Sequence, residues 1–507
     1  MPPTSRRRFL TYAGMVAAAS TLKSRARAFR FSENLPSRLA ADPLRPQFHL
    51  LPAANWMNDP NGPIFYRGRY HMFFQYNPNG AFWGTMHWAH ASSPDLIHWR
   101  HEPIAMVPTP NGYDRDGVFS GSAVLDGENP TVIYTGVLPP ASPSEITLDD
   151  AQHKWREVQC LATSSDPSLR TWQKQPEPII AKPPDLAITG FRDPCVWREG
   201  RDWLLALGSG IKGKGGAVLL YQSADLRHWT YMHPLIEGVG TGKPAPNPVA
   251  NGEMWECPDF FPLGDRHVLL YATMGKVLWK TGQYQDRRFI AEKDGVVDFG
   301  SYYAAKTMLD AHGNRVLWGW IPEKRPEAEY RAAGWAGLMS LPRTLAIGDD
   351  GGLEMSIAPP VERLRGKHRR VENVNRSAKL KSLSSVRIHA LAADIHAEFV
   401  SDRSFVLRLR PEKGEAFAEI AYQPDHPGEE LRVNTITAPL TGGNSLSVRL
   451  LLDGSSLEVL ANHRAAITER IYTLPSAPLT IEVSNLDALR ILDVWQVKPI
   501  SPDRLTS

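Results

Sequence analysis

FYRGRYHMFFQY, residues 65–76, is an apolar pair, a turn glycine and a run of β-formers. Read alone it is a β-hairpin, with Gly68 supplying the turn. The unit returns four times: VLDGENPTVIYTG (124–136), VWREGRDWLLALG (196–208), FFPLGDRHVLLYAT (260–273) and LDAHGNRVLWGW (309–320). The turn glycines Gly68, Gly127, Gly200, Gly264 and Gly313 are 59, 73, 64 and 49 residues apart, slightly more than one four-stranded propeller blade usually spans. A second repeat lies between the hairpins: SPDLIHW ending at Trp99, DPSLRTW at Trp172 and SADLRHW at Trp229. Two interleaved repeats in phase predict a five-bladed β-propeller over residues 46–360.

The pattern stops near Pro359. The charged stretch VERLRGKHRR (361–370) reads as a connector. From 371 to 500 short alternating strands follow, FVLRLRP, LSVRLLLD, SLEVLA, LTIEVS and ILDVWQV, with Trp495 the only tryptophan among them. That pattern predicts a β-sandwich. No long amphipathic periodicity occurs, so the fold class is all-β.

Composition narrows the function classes. The chain has 507 residues, is 42% hydrophobic and 22% charged, and carries a formal charge of +3. No run of 18 apolar residues follows the N-terminal region, which argues against helices threading a membrane. Residues 1–28 combine Arg6-Arg7-Arg8-Phe9-Leu10, an alanine-rich apolar run and Ala26-Arg27-Ala28, with no acidic residue before Glu33. They read as a cleaved twin-arginine export signal, which places the mature protein in the periplasm or outside the cell and off the membrane. The signal holds six basic residues, so the remainder has 51 basic against 54 acidic side chains, a charge of −3. Nucleic acid is therefore not an expected partner. Cys160, Cys195 and Cys257 are too few and too scattered for a disulfide framework or a CxxC metal site, and no metal ligand set is read.

Three acidic motifs precede hairpins: WMNDPNG (56–62), FRDP (191–194) and WECPD (255–259). In a propeller the first strand of each blade lines the axis, so Asp59, Asp193 and Glu256 should face one pocket from corresponding places in successive repeats. Gathered carboxylates repel, and one pKa rises. A glycosidase needs that asymmetry, one carboxylate ionised and another protonated.

The three motifs resemble the active-site signatures of glycoside hydrolase family 32, the invertases and fructan hydrolases. FFQYNP (73–78), WGTMHWAHASSPDLIHW (83–99), FSGSA (119–123), DFGSYYAAKT (298–307) and WAGLMSLPR (335–343) extend the likeness. The resemblance implies a retaining β-fructofuranosidase acting on sucrose, inulin or levan. Asp59 would be the nucleophile, Glu256 the acid/base, and Asp193 the stabiliser of the transition state. It implies a sugar or fructan as the partner and no cofactor. Arg192 is expected to orient a neighbouring carboxylate, and Asn58, Gln75, Trp83 and Ser120 to surround the fructosyl unit. Asp298 and Tyr303 are expected to finish the fifth blade beside the pocket. GKVLWKTGQY (275–284) departs from plant-type members in lacking an acidic residue, which brings fructans level with sucrose and makes Trp279 a candidate subsite residue. Fructosyl transfer, a non-catalytic fructan-binding role, exo or endo cleavage, and the oligomeric state stay open.

Overall fold

The structure is a computed structural model that describes residues 35–150, 153–242, 247–372, 375–424, 429–440 and 445–507. The expected export signal lies outside the described residues. Among them the longest helix is the nine-residue Arg376–Ser384, and strands dominate, which bears out the all-β reading.

Five sheets are built by successive up-and-down strands. Their first strands are Asn55–Tyr66, Gly117–Asp126, Ile188–Glu199, Glu256–Leu263 and Tyr303–Leu309. Each of these strands touches the next, and the last touches the first, so the five form a closed ring. The ring is also stitched by hydrogen bonds, because Trp335–Ala336 pairs in parallel with Asn55–Trp56 of the first sheet. Each turn glycine sits between the first and second strand of its sheet, with φ between 61° and 82°. A Cβ there would meet nothing closer than 3.9 Å, so the backbone conformation, not space, calls for glycine.

The second repeat forms the turn from the third strand toward the sheet's outer edge. Asp95, Asp166 and Asp225 each accept backbone N–H groups from two to four residues ahead. The following leucines, Leu96, Leu169 and Leu226, stand at φ of 74°, 55° and 63° and are almost wholly buried. A left-handed leucine costs of the order of 1–2 kcal/mol, and burying its side chain offsets that by about the same amount or more. This explains why leucine, not glycine, recurs there.

The C-terminal part is two facing sheets. One runs Arg365–Val371, Leu489–Val497, Ala392–Val400, Ser445–Asp453, Ser456–Ala461 and Ala465–Arg470. The other runs Ile436–Pro439, Glu430–Val433, Ala418–Gln423, Phe405–Pro411 and Leu479–Val483. Alternating burial along Phe405–Pro411 and the stacked rings of Phe399 and Phe405, 3.5 Å apart, mark the core between them. The stretch read as a connector is partly sheet: Arg365–Val371 is an edge strand, so the sandwich begins before 371. Its charges are accommodated because residues 365–370 are half-buried or exposed at the sheet's edge, where charged side chains are favoured, and His368 stacks on Trp495 while Arg370 meets Asp493.

The two parts meet through a buried ion cluster. His49, in the strap before the first strand, contacts Asp453 at 2.7 Å and Glu458 at 2.9 Å. Arg343 of the fifth sheet contacts Asp298 at 2.9 Å and Glu458 at 2.7 Å, and all these side chains are inaccessible to solvent. Asp298 also accepts from Thr468, so it ties the sandwich down and is not among the residues lining the pocket expected for it.

Candidate active site

All five axial strands carry the same irregularity. Between Met57 and Pro60, Val118 and Gly121, Arg192 and Cys195, Glu256 and Asp259, and Tyr303 and Lys306, three residues oppose a step of two on the partner strand. Each is a β-bulge, which twists the strand and re-aims its side chains. Asp193 and Cys257, one position into their bulges, stand at φ of 66° and 49°. The three carboxylates therefore do not occupy equivalent positions, contrary to expectation. Asp59 is third in its bulge, Asp193 second and Glu256 first, because a bulge turns successive residues in directions that a flat strand alternates.

The bulges surround a cavity of 510 Å³, and the eight residues expected to act on or surround the fructosyl unit line it: Asn58, Asp59, Gln75, Trp83, Ser120, Arg192, Asp193 and Glu256. Asp59 Oδ2 accepts from Ser120 Oγ at 2.6 Å, and its Oδ1 accepts from Asn58 Nδ2 at 3.0 Å. Asn58 is in turn fixed by Trp56 Nε1 at 2.7 Å. Asp193 Oδ2 accepts from the Cys257 N–H at 3.0 Å. The Cys257 Sγ lies 3.5 Å from Oδ2 of both Asp59 and Asp193, which brings the two carboxylates onto one sulfur. Burial pushes that thiol well above its ordinary pKa, and the three carboxylates add to the rise. It is thus a packed donor, not a thiolate.

Glu256 is gripped from two sides. Arg192 Nε and Nη2 reach its Oε1 at 3.1 and 2.8 Å, and Tyr303 donates to Oε2 at 2.7 Å. The third guanidinium nitrogen of Arg192 goes to Glu157 Oε1 at 2.9 Å. Burial raises the pKa of Asp59, and the Glu256 charge adds to this; Ser120 and Asn58 pull it back. Burial also raises Asp193, Arg192 counters, and the charges of Glu256 and Asp59 push further up. The site therefore holds several carboxyl groups in unlike environments, the condition for acid and nucleophile to coexist.

Several residues of the site escaped the sequence reading. Glu157 is completely buried beneath Arg192 and also accepts from the Phe191 N–H. Phe119 and Trp155 belong to strands of the second sheet, His153 directly precedes the strand of Trp155, and Pro248, Val249 and Ala250 belong to the link before the fourth. Phe119 sits inside FSGSA and was legible there; the others lie outside every repeat. Trp279 is a correction. It packs over Gly295 on the core side of the fourth sheet and does not line the cavity. Among the described residues no cluster of His, Cys, Asp or Glu could hold a metal ion.

Known families resemble this chain over nearly all of residues 49–496. The model of the glycosyl hydrolases family 32 N-terminal domain matches residues 49–358, and that of the family 32 C-terminal domain matches residues 360–496. The chain is 35% identical over 462 residues to a sucrose-6-phosphate hydrolase of Escherichia coli, covering 85% of this chain and 90% of that protein. It is 34% identical over 484 residues to a raffinose invertase of Escherichia coli, covering 88% and 93%. Its structure superposes on fructan 1-exohydrolase IIa from Cichorium intybus with a TM-score of 0.73 at 27% identity, over 90% of this chain and 98% of that one.

Proposed function

Because this chain belongs to glycosyl hydrolase family 32, we propose that it is a retaining β-fructofuranosidase that releases fructose from sucrose and from unsubstituted oligofructosides. The observation that carries the reading is the convergence of Asp59, Asp193 and Glu256 around one cavity, with unlike hydrogen-bond partners. Asp59 attacks the anomeric carbon of the fructosyl unit. Glu256 gives a proton to the departing oxygen, then takes one from the water that cleaves the covalent fructosyl–enzyme. Asp193 holds fructosyl hydroxyls as positive charge develops on the ring. Arg192 and Tyr303 orient Glu256 so that its proton points at the bond being broken. The relatives named sucrose-6-phosphate hydrolase and raffinose invertase, with a β-fructofuranosidase of Bombyx mori solved in complex with sucrose, support sucrose as a substrate, and the exohydrolase supports fructan ends. The protein acts after export by the twin-arginine route, and N-terminal sequencing of secreted material checks that.

The test is product analysis with residues 29–507 on sucrose, inulin and levan. Free fructose is expected, first as the β-anomer by proton NMR. The α-anomer at early times contradicts retention, longer oligosaccharides from concentrated sucrose indicate transfer, and no product from a folded sample refutes the reading.

A further inference from the structure

One side of the cavity is walled by rings. Trp83 comes from the loop between the second and third strands of the first sheet, Phe119 and Trp155 from strands of the second, and His153 from the residue before the strand of Trp155. Trp83 and Trp155 are stacked with centroids 6.0 Å apart and planes at 30°, and His153 lies 4.2 Å from Trp155 and 4.9 Å from Trp83. Trp155 is part of, and His153 directly precedes, a short ladder in which Leu148–Asp149 pairs with Lys154–Trp155. Asp149 and Asp150, on the same hairpin, also line the cavity.

We propose that Trp155 and His153 are the platform for the leaving sugar, and that Asp149 and Asp150 beside them select an uncharged sugar over a phosphorylated one. The inference rests on the assignment of Asp59 and Glu256 above. The bulges occupy the axial end with carboxylates and amides, and of the remaining wall the aromatic side offers a second ring the stacking faces that the Thr189 and Pro248–Ala250 side lacks. Indole faces bind the C–H face of a pyranose, and their edges leave its hydroxyls to water.

The charge balance decides the second half. Five carboxylates line the cavity: Asp59, Asp149, Asp150, Asp193 and Glu256. Among the described lining residues Arg192 is the only arginine or lysine, its nitrogens already serve Glu157 and Glu256, and the remaining basic side chain, His153, faces Asp150 at 3.2 Å. Asp149 has Lys154 at 3.5 Å, but that ammonium is not among the lining residues. A phosphate on the leaving glucose would thus meet like charge where its partner needs a cation. The reading separates this chain from the sucrose-6-phosphate hydrolases it is similar to.

The experiment measures fructose release from sucrose, sucrose phosphorylated on the glucose 6-hydroxyl, and methyl β-D-fructofuranoside. Three proteins are compared: wild type, Trp155→Ala and Asp149→Lys. Wild type should prefer sucrose to its phosphate by about ten-fold or more in kcat/KM. Trp155→Ala should lower the ratio of sucrose to methyl fructoside by about ten-fold, mostly through KM, because the methyl donor has no second ring to stack. Asp149→Lys should narrow the gap between sucrose and its phosphate. Wild type that cleaves the phosphate as well as sucrose overturns the selection, whatever the variants do. A Trp155→Ala enzyme that loses both neutral donors in proportion overturns the platform. No fructose from any of the three overturns the β-fructofuranosidase reading and this inference with it.

Discussion

Ser120 Oγ and Asp59 Oδ2 are 2.6 Å apart, although they belong to different sheets and lie 61 residues apart in the chain. The hydroxyl donates to the charged form of a carboxyl whose pKa burial raises. Removing it in Ser120→Ala should raise the Asp59 pKa further, because the proton is lost from an acid with one fewer donor to its anion. The acid limb of kcat/KM against pH should then move to higher pH, with the alkaline limb in place. A superimposable profile means the hydrogen bond does not tune the nucleophile.

Asp59→Asn and Glu256→Gln keep the size of each side chain and most of its hydrogen bonds. Both should melt within a few degrees of wild type and lose about 10³-fold or more in kcat with sucrose. Thermal denaturation beside initial rates separates the two effects, and turnover near wild type in either variant removes that residue from the chemistry.

Among the described residues Arg192 is the sole partner cation of Glu157, which is completely buried, and it also aligns Glu256. Arg192→Ala leaves a buried carboxylate without its cation, which costs about 3–5 kcal/mol. Both melting temperature and kcat should fall. Adding Glu157→Gln to the variant should recover much of the melting temperature and little of the rate, and recovery of both would make Arg192 purely structural.

The first sheet buries two touching histidines. His71 Nδ1 lies 2.9 Å from His90 Nε2, and burial holds them at pKa values of about 4 and about 3. Both fall below the unfolded value of 6.5, so the unfolded chain takes up their protons first. Their contribution to stability is present above pH 6.5 and is lost as pH falls toward 3. His49 runs the other way: burial alone would lower it, but Asp453 and Glu458 raise it to about 9, so its contribution is present below 6.5 and lost as pH rises through 9. Melting temperatures from pH 8 to 4 should fall less steeply on the acid side for His71→Phe/His90→Phe than for wild type. Equal slopes count against the pair.

Much of this was readable in the sequence because it is local or repeated. Five glycines announced five hairpins, since φ near 60–80° excludes most other residues. The three acidic motifs and their amide and hydroxyl neighbours pointed to one cavity, and all eight residues line it. What stayed hidden depends on distant partners. Nothing near Glu157 hints that Arg192 lies over it, and nothing near Asp298 hints at Arg343 or Thr468. The stagger of Asp59, Asp193 and Glu256 comes from bulges that only strand pairing defines. Arg365–Val371 reads as a linker by charge and becomes a strand because Leu489–Val497 offers it an edge.

The joint between propeller and sandwich should behave as one cooperative unit. Glu458→Ala takes one of two carboxylate partners from both Arg343 and His49, leaving Asp298 and Asp453 to hold these buried cations, and should cost about 3–5 kcal/mol. Calorimetry should show one transition at a lower temperature, and two separated transitions in the wild type would disprove the coupling.

The five bulges have an evolutionary consequence. The groups that break the bond are fixed by kinks at the axis, inside strands that cannot be lengthened or shortened without breaking the ring. His153 and Trp155 instead sit at the start of a strand, on a hairpin held by a two-residue ladder, beside a connection where insertions are tolerated. A lineage carrying this chain could change its diet by rewriting that hairpin while inheriting its chemistry unaltered.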